Sequence, residues 1–249
     1  MVFRVIARLD VKAPNLVKGI QFEGFRKVGS PVEFAKNYYT QGCDEISYQD
    51  VVASLYGRNS LVELVSETAR DAFVPLSVGG GIRTVMDADL LIRHGADKVL
   101  VNTAATLNPS LIRALADRFG AQAIVVSIEA KKFGGEWLVM TDSAREHSGR
   151  RAVDWAIEAQ ANGAGEIFLS SVDREGTKRG FDLELIDRIR PCVQVPLIAH
   201  GGFGENDHAI AAHDSGADGV AIATAFHFGL TTVQSVKSAL GNKGIEVRT

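Results

Sequence analysis

Short apolar runs alternate with longer amphipathic stretches along almost the whole chain. The apolar runs are continuous and rich in β-branched residues, which is typical of strands buried on both faces of a parallel sheet. They predict eight strands: Val5–Leu9, Glu45–Gln49, Val74–Val78, Lys98–Asn102, Ala123–Glu129, Glu166–Ser171, Val195–Ala199 and Gly219–Ala223.

The amphipathic stretches predict eight helices: Pro31–Thr40, Asn59–Ala72, Val85–His94, Pro109–Phe119, Arg151–Asn162, Leu183–Arg190, Asp207–Asp214 and Thr231–Leu240. Ser30-Pro31 and Asn108-Pro109 each place an N-cap residue before a proline at the first helical position. Eight strand–helix pairs without a Pro/Ser-rich linker predict one domain, residues 1–249, with the α/β fold of a (β/α)₈ TIM barrel. The longest connection, Val11–Ser30, is predicted to be a functional loop.

The chain also repeats itself 121 positions later. Gly42-Cys43-Asp44-Glu45-Ile46 returns as Gly163-Ala164-Gly165-Glu166-Ile167, Val74-Pro75-Leu76 as Val195-Pro196-Leu197, and Gly95-Ala96-Asp97 as Gly216-Ala217-Asp218. This period is too long for a solenoid or a propeller. It predicts a barrel built from two duplicated half-barrels.

Composition narrows the class of protein. The 249 residues are 46% hydrophobic and 23% charged, with a net charge of −3 and mixed signs throughout, so we expect no nucleic-acid footprint and no membrane patch. Cys43 and Cys192 are too few for a disulfide framework, and no secretory segment is visible at the N-terminus. A cytoplasmic location is expected. No histidine or third carboxylate has metal-ligand spacing, so neither a metal nor a cofactor is predicted.

Glycines follow the third and seventh predicted strands, where a barrel carries its active face. Gly79-Gly80-Gly81 with Asn102-Thr103 forms one candidate phosphate cradle, and Gly201-Gly202 with Ala223-Thr224 forms the other. Bare backbone N–H groups at such loops bind anions. Paired cradles predict a long substrate with a phosphate at each end. The alternative is that these glycines only allow tight strand-to-helix turns.

Carboxyl groups stand between the cradles. Asp10 and Glu129 end equivalent strands, as Leu-Asp-Val-Lys and Ile-Glu-Ala-Lys, and Asp50 ends the second strand. Two facing carboxyl groups can act as general acid and general base if their surroundings separate their pKa values. The alternative is a pair of solvated loop carboxylates.

Motifs along nearly the whole chain resemble the family of the cyclase subunit of imidazole glycerol phosphate synthase, in histidine biosynthesis. They are Leu9-Asp10-Val11-Lys12, Val17-Lys18-Gly19, Ser77-Val78-Gly79-Gly80-Gly81-Ile82-Arg83, Gly95-Ala96-Asp97-Lys98-Val99, Val101-Asn102-Thr103-Ala104-Ala105, Asp173-Arg174-Glu175-Gly176-Thr177 and Phe226-His227-Phe228-Gly229. The resemblance implies a half-barrel-duplicated (β/α)₈ enzyme. Such an enzyme takes ammonia from a glutaminase partner and converts a bisphosphate ribulosyl-formimino nucleotide into imidazole glycerol phosphate and an aminoimidazole carboxamide ribotide.

The resemblance also implies roles for individual residues. Asp10 falls on the catalytic base, and Lys18 falls on a mobile first loop that closes on substrate. The phosphate positions are Gly81, Asn102 and Thr103 on one side and Gly176, Gly202, Ala223 and Thr224 on the other. The ring that gates ammonia entry corresponds to Arg4, Glu45, Lys98 and Glu166, and Asp97 falls on a docking position. From the sequence itself, four charged strand-start residues of balanced sign predict either such a gate or a structural salt-bridge plug.

Three positions depart from the family pattern. The family usually has Asp where this chain has Glu129 and Glu175, and Ser where this chain has His200. Each side chain is longer and is expected to face the substrate space, where His200 would pair with a phosphate or crowd the site. These changes leave a second hypothesis open, in which a diverged paralogue conducts ammonia to another enzyme in surface-sugar amidation. A third, the sugar isomerase of the same pathway, is disfavoured by the charged ring and by the Asn102–Ala105 stretch.

Overall fold

Eight parallel strands close into a barrel in the computed structural model, which describes residues 2–53 and 61–248. The strands within these ranges are β1 (Arg4–Lys12), β2 (Asn15–Ile20), β3 (Glu23–Gly29), β4 (Glu45–Asp50), β5 (Leu76–Gly79), β6 (Lys98–Val101), β7 (Ile124–Phe133), β8 (Glu136–Thr141), β9 (Glu146–Arg151), β10 (Glu166–Ser171), β11 (Leu197–His200) and β12 (Gly219–Ile222). The barrel order is β1-β4-β5-β6-β7-β10-β11-β12, and β12 pairs with β1 to close it. The predicted (β/α)₈ barrel is confirmed.

Two antiparallel hairpins extend this barrel at equivalent points of its two halves. β2 and β3 continue from β1, and β8 and β9 continue from β7. The prediction of one long loop over 11–30 is therefore wrong. The two strands in this segment show no clear alternation, because three consecutive residues of β2 are buried and most of β3 is exposed. The predicted first and fifth strands end too early for the same reason, since both run on into a hairpin.

Helices cover the outside of the barrel. Those described are α1 (Pro31–Thr40), α2 (Val62–Asp71), α3 (Val85–Arg93), α4 (Thr103–Leu107), α5 (Ser110–Phe119), α6 (Ala152–Ala161), α7 (Leu183–Ile189), α8 (Asn206–Asp214), α9 (Thr224–His227) and α10 (Val233–Asn242), with 3₁₀ turns at Ala121–Ala123 and Arg190–Cys192. Positions 59 and 60 of the predicted second helix lie outside the described residues. None of the described helices is long and apolar enough to cross a membrane.

The sequence predicts two helix starts from N-cap residues, and the structure confirms one of them. The Ser30 side chain accepts the Glu33 N–H and caps α1, as predicted. The predicted cap at Asn108 is wrong, because α5 begins at Ser110 with Pro109 as its N-cap residue and no side-chain cap. The short helices α4 and α9 are absent from the prediction, since a helix of one turn shows no hydrophobic period. They start at Thr103 and Thr224, which are equivalent in the repeat.

The barrel interior is layered. An apolar layer of six side chains, each no more than 2% exposed, fills its middle: Ile6, Leu100, Val125, Phe168, Ile198 and Ala221. A second, larger core packs the outward strand residues against the helices. Because side chains alternate along a strand, β1 presents Arg4, Ile6, Arg8 and Asp10 to the lumen. Charged groups thus lie on both sides of the apolar layer, at the bottom of the barrel and at its mouth.

Candidate active site

Asp10 is fully buried at the barrel mouth and forms ion pairs with two cationic side chains. Its Oδ1 accepts from Arg8 Nε at 2.9 Å, and its Oδ2 accepts from Lys18 Nζ at 2.8 Å. Burial by itself would raise the pKa of Asp10, but Arg8 and Lys18 outweigh it and hold that pKa well below its usual range. Asp10 is therefore an ionised carboxylate at neutral pH.

Lys18 reaches Asp10 from the hairpin strand β2, so the structure places it on a strand where the resemblance implied a loop. Its side chain is only 3% exposed and also forms an ion pair with Glu175. Glu175 in turn accepts the backbone N–H of Phe22, which lies at the hairpin turn. Lys18 and Glu175 thus connect the first hairpin to the loop after β10 across the mouth.

Glu129 occupies the equivalent position on β7 in the second half, where the barrel strand runs on into its hairpin, and its environment differs from that of Asp10. Its carboxyl is buried, and Oε2 accepts the backbone N–H of Ala144 at 3.0 Å. Burial raises the pKa of Glu129 to about 7, although Arg8 and the Ala144 N–H oppose that rise. A carboxyl group with this pKa exchanges protons at neutral pH, whereas Asp10 stays charged. The two carboxyl groups therefore meet the condition for an acid–base pair.

The hairpin turn above Glu129 is conformationally unusual. Asp142, Ser143 and Ala144 all have positive φ angles, of 52°, 58° and 62°. Such angles are unfavourable for residues with a Cβ and persist only where contacts enforce them. Here the Thr103 hydroxyl accepts the Asp142 N–H at 3.0 Å, and the Ser143 hydroxyl donates to the Val51 carbonyl. The turn is thereby held over the first cradle.

The first cradle is an open cavity of about 340 Å³. Gly80, Gly81, Asn102 and Thr103 line it together with Asp50 and Glu129. Gly79 lies in the barrel wall instead, where a Cβ would collide with the Gln49 side chain. The Asn102 Oδ1 atom is buried and has no hydrogen-bond partner within the described ranges, so it is available to a ligand donor.

The second cradle is nearly closed, with a cavity of about 10 Å³. The predicted residues are brought together there: Glu175, Gly176, His200, Gly202, Ala223 and Thr224. Gly202 has a φ of +107°, and a Cβ on it would overlap the Gly180 carbonyl. His200 Nδ1 lies 3.2 Å from Arg8 NH1 and 3.0 Å from Ser170 Oγ. One ring nitrogen of His200 thus contacts the barrel interior while the residue itself lines the cradle.

The four predicted ring residues meet at the opposite end of the barrel. Arg4 contacts Glu45 at 3.2 Å and Glu166 at 2.7 Å, and Lys98 contacts the same two carboxylates at 2.7 and 3.2 Å. Every cation therefore bridges both anions. A cavity of about 520 Å³ opens beneath, lined by Arg4, Glu45 and Lys98 and by the C-terminal residues 246–248. Asp97 is exposed beside it and accepts the Leu76 N–H at 2.8 Å.

Arg8 is the main site residue that the sequence reasoning missed, together with Ser170 and the 142–144 turn. The signal was present, since Arg8 lies midway between Arg4 and Asp10 on a strand of period two and must share their inward face. The turn carried no such signal, because its conformation depends on contacts with distant residues.

Comparisons with known proteins agree with this geometry. The family described as "Histidine biosynthesis protein" matches residues 4–232. A Legionella pneumophila protein named imidazole glycerol phosphate synthase subunit HisF is 58% identical over 203 residues, which cover 81% of this chain and 96% of that protein. Proteins of the same name from Myxococcus xanthus and Bifidobacterium longum are each 47% identical, over 99% and 98% of this chain and 98% of their own lengths. The chain therefore belongs to the histidine biosynthesis protein family, among the HisF subunits of imidazole glycerol phosphate synthase.

Proposed function

We propose that this chain is the ammonia-dependent cyclase of imidazole glycerol phosphate synthase. Its substrate is a bisphosphate ribulosyl-formimino-aminoimidazole carboxamide nucleotide, and its products are imidazole glycerol phosphate and aminoimidazole carboxamide ribotide. The observation that carries the proposal is the pair Asp10 and Glu129, two carboxyl groups at equivalent positions of β1 and β7 whose pKa values are driven apart between two glycine cradles. The names of the relatives favour this reading over the surface-sugar alternative.

The cradles fit the two ends of such a substrate. Gly81, Asn102 and Thr103 would hold one phosphate, and Gly176, Gly202, Ala223 and Thr224 would hold the other through backbone N–H groups and hydroxyls. The reacting part of the substrate would then lie between Asp10 and Glu129. Glu129 would supply a proton as the general acid, and ionised Asp10 would accept one as the general base.

Asp10 needs a change in its contacts for that role. While Arg8 and Lys18 both bind it, its carboxylate is a weak base. Lys18 is the contact that substrate can displace, because it comes from the hairpin, whereas Arg8 is fixed on the same barrel strand. Displacement of Lys18 by the substrate would raise the basicity of Asp10 at the moment the reaction needs it.

The names of the relatives identify subunits of a synthase, so a complex with a partner subunit is expected of the family. We propose a glutaminase as that partner, docked on the bottom face beside Asp97 and delivering ammonia through the ring of Arg4, Glu45, Lys98 and Glu166. Uncharged ammonia suits the apolar layer above the ring, because burial of a charged ammonium there would be unfavourable.

A turnover assay with the nucleotide substrate and ammonium salt tests the proposal. We expect formation of both products without a partner, at a rate that rises with the concentration of free ammonia. Tight substrate binding without product formation would exclude the cyclase. Glutamine should support turnover only after a glutaminase subunit is added.

A further inference from the structure

Arg8 is a buried arginine at the centre of the active site. The residue is 2% exposed. Its guanidinium contacts the faces of two aromatic rings, 5.4 Å from the centre of Phe22 and 5.5 Å from the centre of Phe168. These rings come from the first hairpin and from the apolar layer. They hold the planar group in one orientation, so its hydrogen-bond donors point in fixed directions.

Those donors determine the tautomer of His200. An arginine side chain is always protonated in proteins and only donates hydrogen bonds. NH1 lies 3.2 Å from His200 Nδ1, so a hydrogen bond between them requires Nδ1 to accept and to carry no hydrogen. Ser170 Oγ, 3.0 Å from the same nitrogen, is compatible with this arrangement because a hydroxyl can donate. The ring is then neutral, and its hydrogen is on Nε2. Burial together with Arg8 and Lys18 lowers the pKa of His200 well below its ordinary value, in agreement with this assignment.

The same guanidinium holds Asp10 through its other edge. Nε donates to Asp10 Oδ1 at 2.9 Å, while NH1 also lies 3.3 Å from Ser170 Oγ. Arg8 therefore links Asp10, the proposed general base on the first half-barrel, to His200 at the cradle of the second. A lysine cannot do this, because a single ammonium lacks the two-edged planar geometry that reaches both groups.

We propose that Arg8 is a positioning residue that keeps Asp10 ionised and fixes His200 as the neutral tautomer whose Nε2–H serves the anion in the second cradle. His200 lines that cradle with Gly202, Ala223 and Thr224. Phosphate oxygens are acceptors, so a neutral histidine contributes to binding only when its hydrogen is on the nitrogen that faces them. The long side chain at this position thereby becomes a phosphate ligand, and its effectiveness depends on Arg8.

Several other titratable groups face this pair and enter any pH dependence. They are Lys18 on β2, Glu175 after β10, Glu129 on β7 and His227 on α9. Lys18 is paired with Asp10 and Glu175, and burial lowers the pKa of His227 to about 4, so neither changes charge near neutrality. Burial raises the pKa of Glu129 to about 7, so this carboxyl group changes charge near neutrality.

The test is ¹⁵N NMR of the histidine side chains in the full-length protein, with inorganic phosphate as the probe ligand. In the unmodified protein we expect His200 to show the Nε2–H tautomer from pH 5.5 to 8, and its Nε2 resonance to shift when phosphate is added. In Arg8→Met, which has similar volume and no donor, His200 should become a tautomer mixture or titrate within this range. Arg8→Lys should do the same, which keeps the test valid if the methionine variant fails to fold.

A double-mutant cycle provides the second readout. At pH 8, where His200 is neutral, His200→Asn should weaken phosphate binding at the second cradle about tenfold, because it removes one hydrogen bond to a charged group. Arg8→Lys should weaken it by a smaller factor, because the Nε2–H tautomer is then only partly populated. The double variant should be no more than about twofold worse than the worse single variant, since Arg8 acts through His200. Arg190→Gln is the matched control: Arg190 pairs with Asp218 away from the mouth, and its loss should leave the His200 signals unchanged.

An unchanged Nε2–H tautomer in both Arg8 variants would overturn the proposal, and so would fully additive losses in the cycle. The inference rests on the proposed function only for the identity of the bound phosphate as part of the substrate. Because tautomer and phosphate titration need no turnover, a protein without cyclase activity could still confirm the role of Arg8, and an active cyclase could still refute it.

Discussion

Asp10 and Glu129 occupy equivalent positions on β1 and β7 of the two half-barrels, yet the protein drives their pKa values in opposite directions. The difference lies in their partners. Asp10 has a cation on each oxygen, from Arg8 and Lys18, whereas Glu129 receives one backbone N–H from Ala144. Both are buried, so the direct ion pairs decide which carboxyl group stays charged. A duplicated scaffold has thus produced two carboxyl groups with different chemistry.

The first prediction concerns Glu129 as general acid. Glu129→Gln should lower kcat in the ammonium-driven reaction by about 10²–10⁴-fold, because an amide cannot transfer the proton. In the unmodified enzyme, kcat should fall as pH rises above about 7, since the protonated form is the active one. Asp10 keeps Arg8 as its partner when Lys18 is displaced, so any acid limb from Asp10 should lie at lower pH than the Glu129 limb. A rate profile that is flat from pH 6 to 9 would remove Glu129 from this role.

The shorter acid provides the matched comparison. Glu129→Asp keeps the carboxyl group but moves it by one methylene. If the site retains the geometry of the family, where aspartate is usual at this position, turnover should be preserved or raised. A hundredfold or greater loss of turnover would show that the site requires the longer glutamate side chain, which reaches the Ala144 N–H.

The second prediction concerns Asp10. Asp10→Asn should abolish cyclisation while substrate binding remains within about tenfold, because the base is lost and the cradles are intact. Binding by calorimetry and turnover with ammonium salt separate these two effects. Residual activity within about tenfold of the unmodified enzyme would argue against Asp10 as the base. Thermal unfolding should be measured in parallel, since Arg8 and Lys18 lose a buried partner.

A third prediction concerns stability. The pKa of Glu129 is raised from 4.5 to about 7 by folding, so its contribution to stability is complete below pH 4.5 and is lost as pH rises through 7. Glu129→Gln remains uncharged at every pH. Above pH 8 the variant should therefore have a higher free energy of unfolding, by about 3 kcal/mol. Near pH 4 the two proteins should agree, and denaturant unfolding at pH 4, 6 and 8.5 measures the difference.

The fourth prediction tests the bottom face. Asp97→Lys should weaken glutamine-driven turnover more than ammonium-driven turnover, because the exposed carboxylate is the proposed contact with the glutaminase. Asp97→Asn is the matched control: it removes the charge without reversing it, and both variants perturb the hydrogen bond that Asp97 accepts from the Leu76 N–H at 2.8 Å. Equal losses in both reactions and both variants would assign Asp97 a purely structural role.

A substitution in the charged ring distinguishes an ammonia gate from a structural salt-bridge plug. Lys98→Met leaves Glu45 and Glu166 with Arg4 as their remaining ring cation. If the ring is a gate, glutamine-driven turnover should change while the melting temperature falls only modestly. If the ring is a plug, stability should fall and both reactions should decline together.

The fifth prediction is that both cradles bind an anion. Crystals soaked in phosphate should show one ion at Gly81, Asn102 and Thr103 and another at Gly202 and Thr224. The second site requires a small local opening, because its cavity is about 10 Å³ against about 340 Å³ for the first. Gly202→Ala should empty the second site alone, since its Cβ would overlap the Gly180 carbonyl. Crystals with neither site filled would contradict the paired-cradle hypothesis.

The sequence by itself determined the barrel, the duplication and the residues at each strand end. Continuous apolar runs, helical spacing and glycine placement are local properties, and they predicted the eight barrel strands to within a few residues. Period two on β1 would also have placed Arg8 on the same inward face as Arg4 and Asp10. The two hairpins and the short helices α4 and α9 escaped prediction, because their patterns are too short or too irregular to carry a signal.

Only the tertiary structure decided the chemistry of those residues. Asp10 and Glu129 look alike in the chain, and their pKa values separate because Lys18 and Arg8 reach one of them and a backbone N–H reaches the other. His200 lies 192 positions from Arg8, yet the contact between them fixes its tautomer. Protonation depends on burial and on the nearest charges, and these are set by which strands become neighbours when the barrel closes.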